Sequence, residues 1–329
     1  EENGMSPRMD PSGEGPLVAT ILDSMSDACW SPEFRNLRLE RSHWRSQLDQ
    51  HRPDLLLVES AFSGANGTWA RTINHFGSPH PELVRLVDRC RAEGVPTVFW
   101  SKEDPVNYAW FIGAASLFDR VFTVDGNMLD RYRADLGRAH VGILPFAAQP
   151  TLHFPDPDVE RSGKAAFAGT WYARKHAARR DQLEMLLTAA IPFGLSIYDR
   201  MDRASDPRFD WPPALAAHVV GSVPYPDMGR VYNSHRVFLN VNTVTDSPTM
   251  CARRIYELAA CGTPILSGPS AAIGVTVPAS VVSVATTGEE AASALGALIE
   301  QEAPTTEGPA WISEGNTYRD RFATSLDAV

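Results

Sequence analysis

Ser247–Gly268 reads SPTMCARRIYELAACGTPILSG, and its punctuation sets the pattern for the rest of the chain. Ser247 before Pro248 predicts a helix start: the hydroxyl accepts an orphan amide proton, and a proline at the first helical position forfeits no hydrogen bond. Ile255, Leu258, Ala259 and Cys261 recur at helical spacing, and Gly262 supplies the left-handed stop. Pro264-Ile265-Leu266 then reads as a short buried strand. Within the helix, Arg253 or Arg254 lies one turn before Glu257, so a cation and a carboxylate share a face near a helix start, where backbone amides favour anions. On spacing alone this is an ordinary surface ion pair. The same geometry also suits a nucleotide diphosphate, with amides and arginine toward phosphate oxygens and a carboxylate accepting both hydroxyls of a ribose.

The helix–strand alternation extends in both directions. Toward the N-terminus, LVATIL (17–22), DLLLVE (54–59), PTVFW (96–100), RVFTV (120–124) and HVGILPF (140–146) are apolar strand runs. Between them the sequence predicts an amphipathic segment over 34–50 and helices over 81–92 and 128–136. After 147–163, which is rich in proline and acidic residues like an interdomain linker, the pattern restarts. Strands are expected at 164–169, 195–198, 218–223, 236–242, 264–267 and 281–285, with further helices over 175–189, 226–233, 289–301 and 317–326. Apolar strands separated by single helices imply parallel sheets covered on both faces. The expected organisation is a polar, Gly- and Pro-rich leader over 1–16, an N-terminal Rossmann-like domain over 17–150, and a second one over 151–329 whose final helix packs back on the first. No GxGxxG follows the first strand, where the chain reads LDSMSDACW, so a dinucleotide cofactor is not expected there.

The chain has 329 residues, suited to two domains, with 43% hydrophobic and 21% charged residues, the balance of a globular protein. No apolar run approaches the roughly 20 residues that span a bilayer. A net charge of −10 argues against a nucleic-acid partner, which needs a basic face. The four cysteines (Cys29, Cys90, Cys251, Cys261) lack metal-type spacing and read as buried thiols in a reducing, cytoplasmic compartment. The nine histidines are scattered and YDRMD (198–202) is no convincing acidic pair, so no metal site is expected.

In open α/β sheets, ligands bind outside the carboxyl ends of strands. Phe167-Ala168-Gly169-Thr170 ends the first strand of the second half, and Arg174, Lys175, Arg179 and Arg180 follow. A glycine there admits a phosphate close to the backbone, and the basic residues either neutralise it or form a solvated helix face. Asp199, just after the strand at 195–198, reads as a loop cap or as a contact to a nucleobase. Tyr225, between two prolines, offers a ring to a nucleobase or packs over its loop. Asn240 and Asn242 face one side at a strand end, as caps or as ligand contacts. In the first half, Glu59 closes the second strand, and Lys102, Glu103 and Asp104 close the third. Either Lys102 pairs with Glu103 or Glu59 to hold the loops, or Glu59, Glu103 or Asp104 orients or deprotonates an acceptor hydroxyl.

These segments carry a resemblance. RRIYELAACGTPIL resembles the donor-binding helix of GT-B glycosyltransferases, and more narrowly the N-M-R-x-F-E-x-x-A-C-G pattern of the CgeB-like (spore maturation protein) family. ESAFSGANGTW (59–69) and VFWSKEDP (98–105) are similar to that family's E-S-x-x-x-G-x-x-G-x-W and F-W-x-K-E-D-P. Phe167–Tyr172 resembles its F-x-G-S/T-x-Y, and Asn316-Thr317-Tyr318 through Arg321 its H-T-Y-x-x-R, with asparagine for histidine. The resemblance spans nearly the whole chain after Gly15. It implies two Rossmann-like domains facing each other across a cleft, and metal-independent transfer of a sugar from a UDP, GDP or dTDP donor to an acceptor hydroxyl. Gly169, Thr170, Arg174, Tyr225, Asn242, Met250, Arg254 and Glu257 would hold the donor, Glu257 on the ribose and Arg254 near the diphosphate. Glu59, Lys102, Glu103 and Asp104 would serve an acceptor that is a small molecule, a polysaccharide or a protein. Thr249 stands where many retaining GT-B enzymes carry a second glutamate. Rival readings are a nucleotide-sugar epimerase of the same architecture and a non-catalytic module that binds a glycan or a partner.

Overall fold

The computed structural model of the chain describes residues 15–137, 140–202, 206–301 and 304–327. Residues 1–14 of the expected leader lie outside the described residues. The described residues divide into two compact units, one reaching to Pro145 and resuming at Tyr318, the other Phe146–Thr317.

In the first unit the elements run β1 (Leu17–Ile21), α1 (Ser24–Trp30), β2 (Arg35–Arg38), α2 (Trp44–His51), β3 (Leu55–Glu59), α3 (Pro81–Ala92), β4 (Thr97–Ser101), α4 (Tyr108–Ala115), β5 (Arg120–Thr123), α5 (Leu129–Leu136) and β6 (Val141–Ile143). The six strands form one sheet in the order β2-β1-β3-β4-β5-β6, parallel throughout. β1, β3 and β4 are buried along their whole length, as apolar runs in a sheet covered on both faces must be.

One expectation fails here. Residues 34–50 are not a single amphipathic segment, because Arg35–Arg38 (RNLR) forms the edge strand β2. Leu37 packs against the core while Arg38 on the other face pairs with Asp27 at 2.7 Å and Asn36 donates to Asp27. A strand with two arginines is polar enough to sit at an edge, and its charges discourage pairing with another chain. Only pairing with β1 makes such a run a strand.

The second unit runs β7 (Gly163–Gly169), α6 (Ala177–Ala190), β8 (Leu195–Asp199), α7 (Pro213–Ala216), β9 (Val219–Gly221), α8 (Met228–Asn233), β10 (His235–Asn240), α9 (Arg253–Ala260), β11 (Ile265–Ser267), β12 (Val282–Val284), α10 (Gly288–Ile299) and α11 (Glu307–Ser313). Its six-stranded sheet is again parallel, ordered β12-β11-β10-β7-β8-β9. The last helix, α12 (Tyr318–Asp327), returns to the first unit. There Tyr318 meets Trp30 edge-on at 4.9 Å and Phe322 meets Phe34 at 4.9 Å.

The start of α9 is also corrected. The helix begins at Arg253, six residues after Ser247. Ser247 does accept from the amides of Met250 (3.0 Å) and Thr249 (3.4 Å), but this closes a local turn. The amide of Ala252, at the helix start, is satisfied by Asn242 Oδ1 at 2.8 Å, a partner ten residues back on the β10 end. The far end behaves as expected. Gly262 has φ +63°, a Cβ there would lie 2.8 Å from the Thr305 carbonyl oxygen, and Thr263 N donates back to Leu258 O at 3.0 Å.

Candidate functional site

In the second unit, three guanidiniums meet at the carboxyl end of β7. Arg179, in the first turn of α6, donates to the Thr170 carbonyl at 3.3 Å and lies over the Tyr172 ring at 5.4 Å. Arg200, just past β8, donates from Nε to Thr170 Oγ1 at 3.2 Å. Arg254, in the first turn of α9, stands over Phe167 at 5.2 Å, its Nη2 only 3.4 Å from where a Cβ on Gly169 would be. A Cβ at 169 would meet the guanidinium only at ordinary contact distance, but it would strike the Phe167 ring at 2.9 Å, which glycine avoids.

Burial first, and then the charges of Arg254 and Arg200, push the Arg179 guanidinium down to about 10, with Tyr172 opposing. Among the described residues none of the three arginines has a carboxylate partner. Like charges held together without a counter-charge are the electrostatic signature of an anion site. Buried polar atoms lacking a hydrogen-bond partner among the described residues gather at the same sheet edge: Arg254 Nε, Asn240 Oδ1 at the end of β10, and Gln182 Oε1, whose side chain lies against Gly268 just past β11. Such groups are expensive to bury unless something else satisfies them.

Glu257, one turn along α9 from Arg254, is buried. Its Oε1 accepts from Tyr225 at 2.6 Å and its Oε2 from Tyr232 at 2.7 Å. Burial alone would raise this carboxyl, but His153, Arg253 and the two phenols outweigh it and hold it below the usual glutamate range. His153 packs edge-on to Tyr225 at 5.9 Å and against Tyr232 at 6.2 Å.

The residues proposed from sequence are not all gathered. Gly169, Thr170 and Arg254 come together, and Tyr225 joins Glu257. Asn242 sits behind them, capping α9 and sharing Ser267 Oγ with Asn240. Met250 is half-buried in the 247–252 loop. Arg174 is exposed on the loop before α6, with Asp206 as its charged neighbour. Asp199 is a loop cap, accepting from Met201 N at 2.9 Å. Arg200 and His153 have no motif of their own. Arg200 has one locatable signal, since Asp199 pairs in register with Gly169 and the next residue must leave the sheet at the same edge.

In the first unit, Glu59 and Lys102 meet at the carboxyl ends of β3 and β4. Lys102 Nζ is 2.9 Å from Glu59 Oε1, also contacts the Asp23 carboxylate, and approaches Ser26 Oγ at 3.3 Å. Glu59 is buried, with Oε1 also accepting from Asp23 N at 2.5 Å. Asp23, in the loop after β1, N-caps α1 and is the more exposed carboxylate of the cluster. The other two candidates point elsewhere. Glu103 accepts from Asn107 at 2.7 Å at the start of α4, and Asp104 is buried beneath the loop, accepting from Thr123 at 2.6 Å and Tyr132 at 3.0 Å. Burial, opposed by those hydrogen bonds, pushes Asp104 up to about 6. Beyond the cluster, Phe62 and Trp110 are half exposed and rest edge-on against Phe111 and Phe76 respectively.

Comparison with solved structures adds AviGT4, a glycosyltransferase involved in avilamycin A biosynthesis, with a TM-score of 0.57 at 13% identity over 95% of this chain and 96% of that one. A sucrose-phosphate synthase from Thermosynechococcus elongatus gives 0.55 at 11% identity over 95% and 98%. Anabaena HepE, solved in complex with UDP-glucose, gives 0.54 at 14% identity over 95% and 99%. The fold is GT-B. A family model described as "Glycosyl transferase-like" matches residues 176–327, which includes Arg179, Arg200, Arg254 and Glu257. None of the curated proteins matches the chain by sequence. Among the described residues, no three of His, Cys, Asp and Glu gather as a metal site, and no helix is long and apolar enough to cross a membrane.

Proposed function

We propose that this chain is a glycosyltransferase that moves a hexose-type sugar from a nucleotide-diphosphate donor of UDP, GDP or dTDP type to an acceptor hydroxyl. The observation that carries this reading is the convergence of Arg179, Arg200 and Arg254 on Gly169–Thr170, beside the buried Glu257 carboxylate. The guanidiniums take the diphosphate, and Glu257 takes the ribose. Departure of the nucleoside diphosphate leaves negative charge on its phosphates, and three fixed cations stabilise that charge as it develops. They supply the compensation that a divalent metal brings elsewhere, so the transfer is metal-independent. The family match over this half and the GT-B structures solved with UDP and UDP-glucose support the assignment.

The acceptor is handled by the first unit. Lys102, held by Glu59 and Asp23, places a charged cluster at the strand ends, with Asp23 exposed enough to meet a hydroxyl. Phe62, on the loop after β3, and Trp110, in the first turn of α4, offer apolar surface on segments that follow β3 and β4. Membership of the CgeB-like proteins rests on motifs in both units, and retention at the anomeric carbon on the likeness of α9 to the donor helix of retaining enzymes. The four buried thiols suit a cytoplasmic setting.

Thr249 favours a second reading, a non-catalytic module, because it replaces a glutamate common in retaining relatives. Calorimetry with UDP, GDP and dTDP separates the two: the transferase binds one of them, and a scaffold binds none. Labelled donor with and without acceptor then distinguishes transfer from epimerisation, which needs no acceptor.

A further inference from the structure

His153 lies in the segment leading into the second sheet and is 1% exposed. The backbone N–H of Gln149 donates to its Nδ1 at 3.3 Å, in a tight turn that His153 N closes onto Gln149 O at 2.8 Å. An amide N–H only donates, so Nδ1 is the bare nitrogen and Nε2 carries the proton. Among the described residues that Nε2 has no partner. Burial favours the neutral ring. A buried donor without an acceptor is costly, and a native fold keeps one where a ligand or an ordered water satisfies it.

The surroundings define the ligand. The ring packs on the same two phenols that bind Glu257, whose oxygens each retain the lone-pair capacity to accept a second hydrogen bond. A group that bridged the two would have to accept from an imidazole N–H and donate to a carboxylate. A phosphate oxygen or a base carbonyl only accepts, and an ammonium only donates. A hydroxyl does both, whether it belongs to a ribose or to a water that the ribose displaces.

We propose that His153 Nε2 and Glu257 together read one hydroxyl of the ribose, so that the site discriminates against the nucleotide that lacks it. The inference rests on the donor reading above, and the 2′ hydroxyl as the group read would exclude the dTDP class of donor. It makes His153 a specificity-determining residue on a segment that carries no motif.

The test is calorimetry of the full chain with UDP, GDP and their 2′-deoxy and 3′-deoxy forms. The expected result is that the nucleotide bound best loses on the order of tenfold in affinity when one of the two hydroxyls is removed. His153→Asn keeps an acceptor for the Gln149 amide but has no distal donor, and should cut that preference to about one- to twofold. His153→Gln, which carries an N–H near the Nε2 position, should retain it. Equal binding of ribo and both deoxy forms by the wild type overturns the inference and leaves the donor reading intact. So does an unchanged preference in His153→Asn, or loss of preference in both variants, which would reduce the imidazole to packing. Binding of no nucleotide at all overturns both readings together.

Discussion

Tyr232 donates its phenol to Glu257 Oε2 over 2.7 Å, with both side chains buried. Tyr225 does the same to Oε1. The carboxylate is therefore oriented before any ligand arrives, so little rotamer freedom remains to be lost on binding.

Glu257→Gln should keep both tyrosines partnered while removing the charge. Nucleotide affinity is expected to fall on the order of tenfold, read by calorimetry. The variant should also change acid sensitivity. A carboxyl held below its ordinary value of 4.5 contributes stability that is present above that value and is lost as pH falls through the folded pKa. Urea midpoints should therefore drop less steeply in Glu257→Gln than in the wild type below that pH, and parallel curves would remove the carboxylate from this role.

Arg179→Ala and Arg200→Ala should each weaken nucleotide diphosphate binding by about tenfold, the magnitude of a lost charge-assisted hydrogen bond to phosphate. Arg174→Ala should change it by less than about twofold, because Arg174 is exposed and its charged neighbour is Asp206. Comparing UDP with uridine isolates the phosphate contribution. Equal losses in all three variants would show a diffuse basic field in place of a built site.

Asp104 gives the opposite pH dependence to Glu257. Its folded pKa is raised from 3.8 to about 6. Its favourable contribution is thus complete below 3.8 and lost as pH rises through about 6. The wild type should lose on the order of 3 kcal/mol relative to Asp104→Asn across that window, seen as diverging chemical-denaturation midpoints. Turnover should survive the substitution, because Asp104 is engaged by Thr123 and Tyr132 below the loop. A collapse of kcat with normal stability would instead make it a reacting group.

Lys102→Met should be destabilising by about 3–5 kcal/mol, since it strands the buried Glu59 carboxylate beside Asp23. Lys102→Met combined with Glu59→Gln should recover at least half of that loss in thermal or urea unfolding. No recovery would mean that the lysine stem, not its charge, holds the two loops together.

The sequence by itself determined the architecture. Apolar strand runs such as DLLLVE and VFW, separated by single helices, fix parallel sheets covered on both faces, because backbone period and burial are local properties of a run. Gly262 and Pro81 mark helix ends for equally local reasons of backbone geometry. Glu257 and Arg254 were legible because they share one helix turn. Tertiary structure decided whatever depends on a distant partner. RNLR is a strand only beside β1, and α9 starts where Asn242 reaches the Ala252 amide, not where Ser247 and Pro248 signal a start. Arg200 joins Arg179 and Arg254 only because β8 lies next to β7. His153 gains meaning from a tautomer set by Gln149 and from phenols more than seventy residues away. Chain periodicity records which face a residue shows, whereas the convergence of charges from separate elements is created by the packing of those elements.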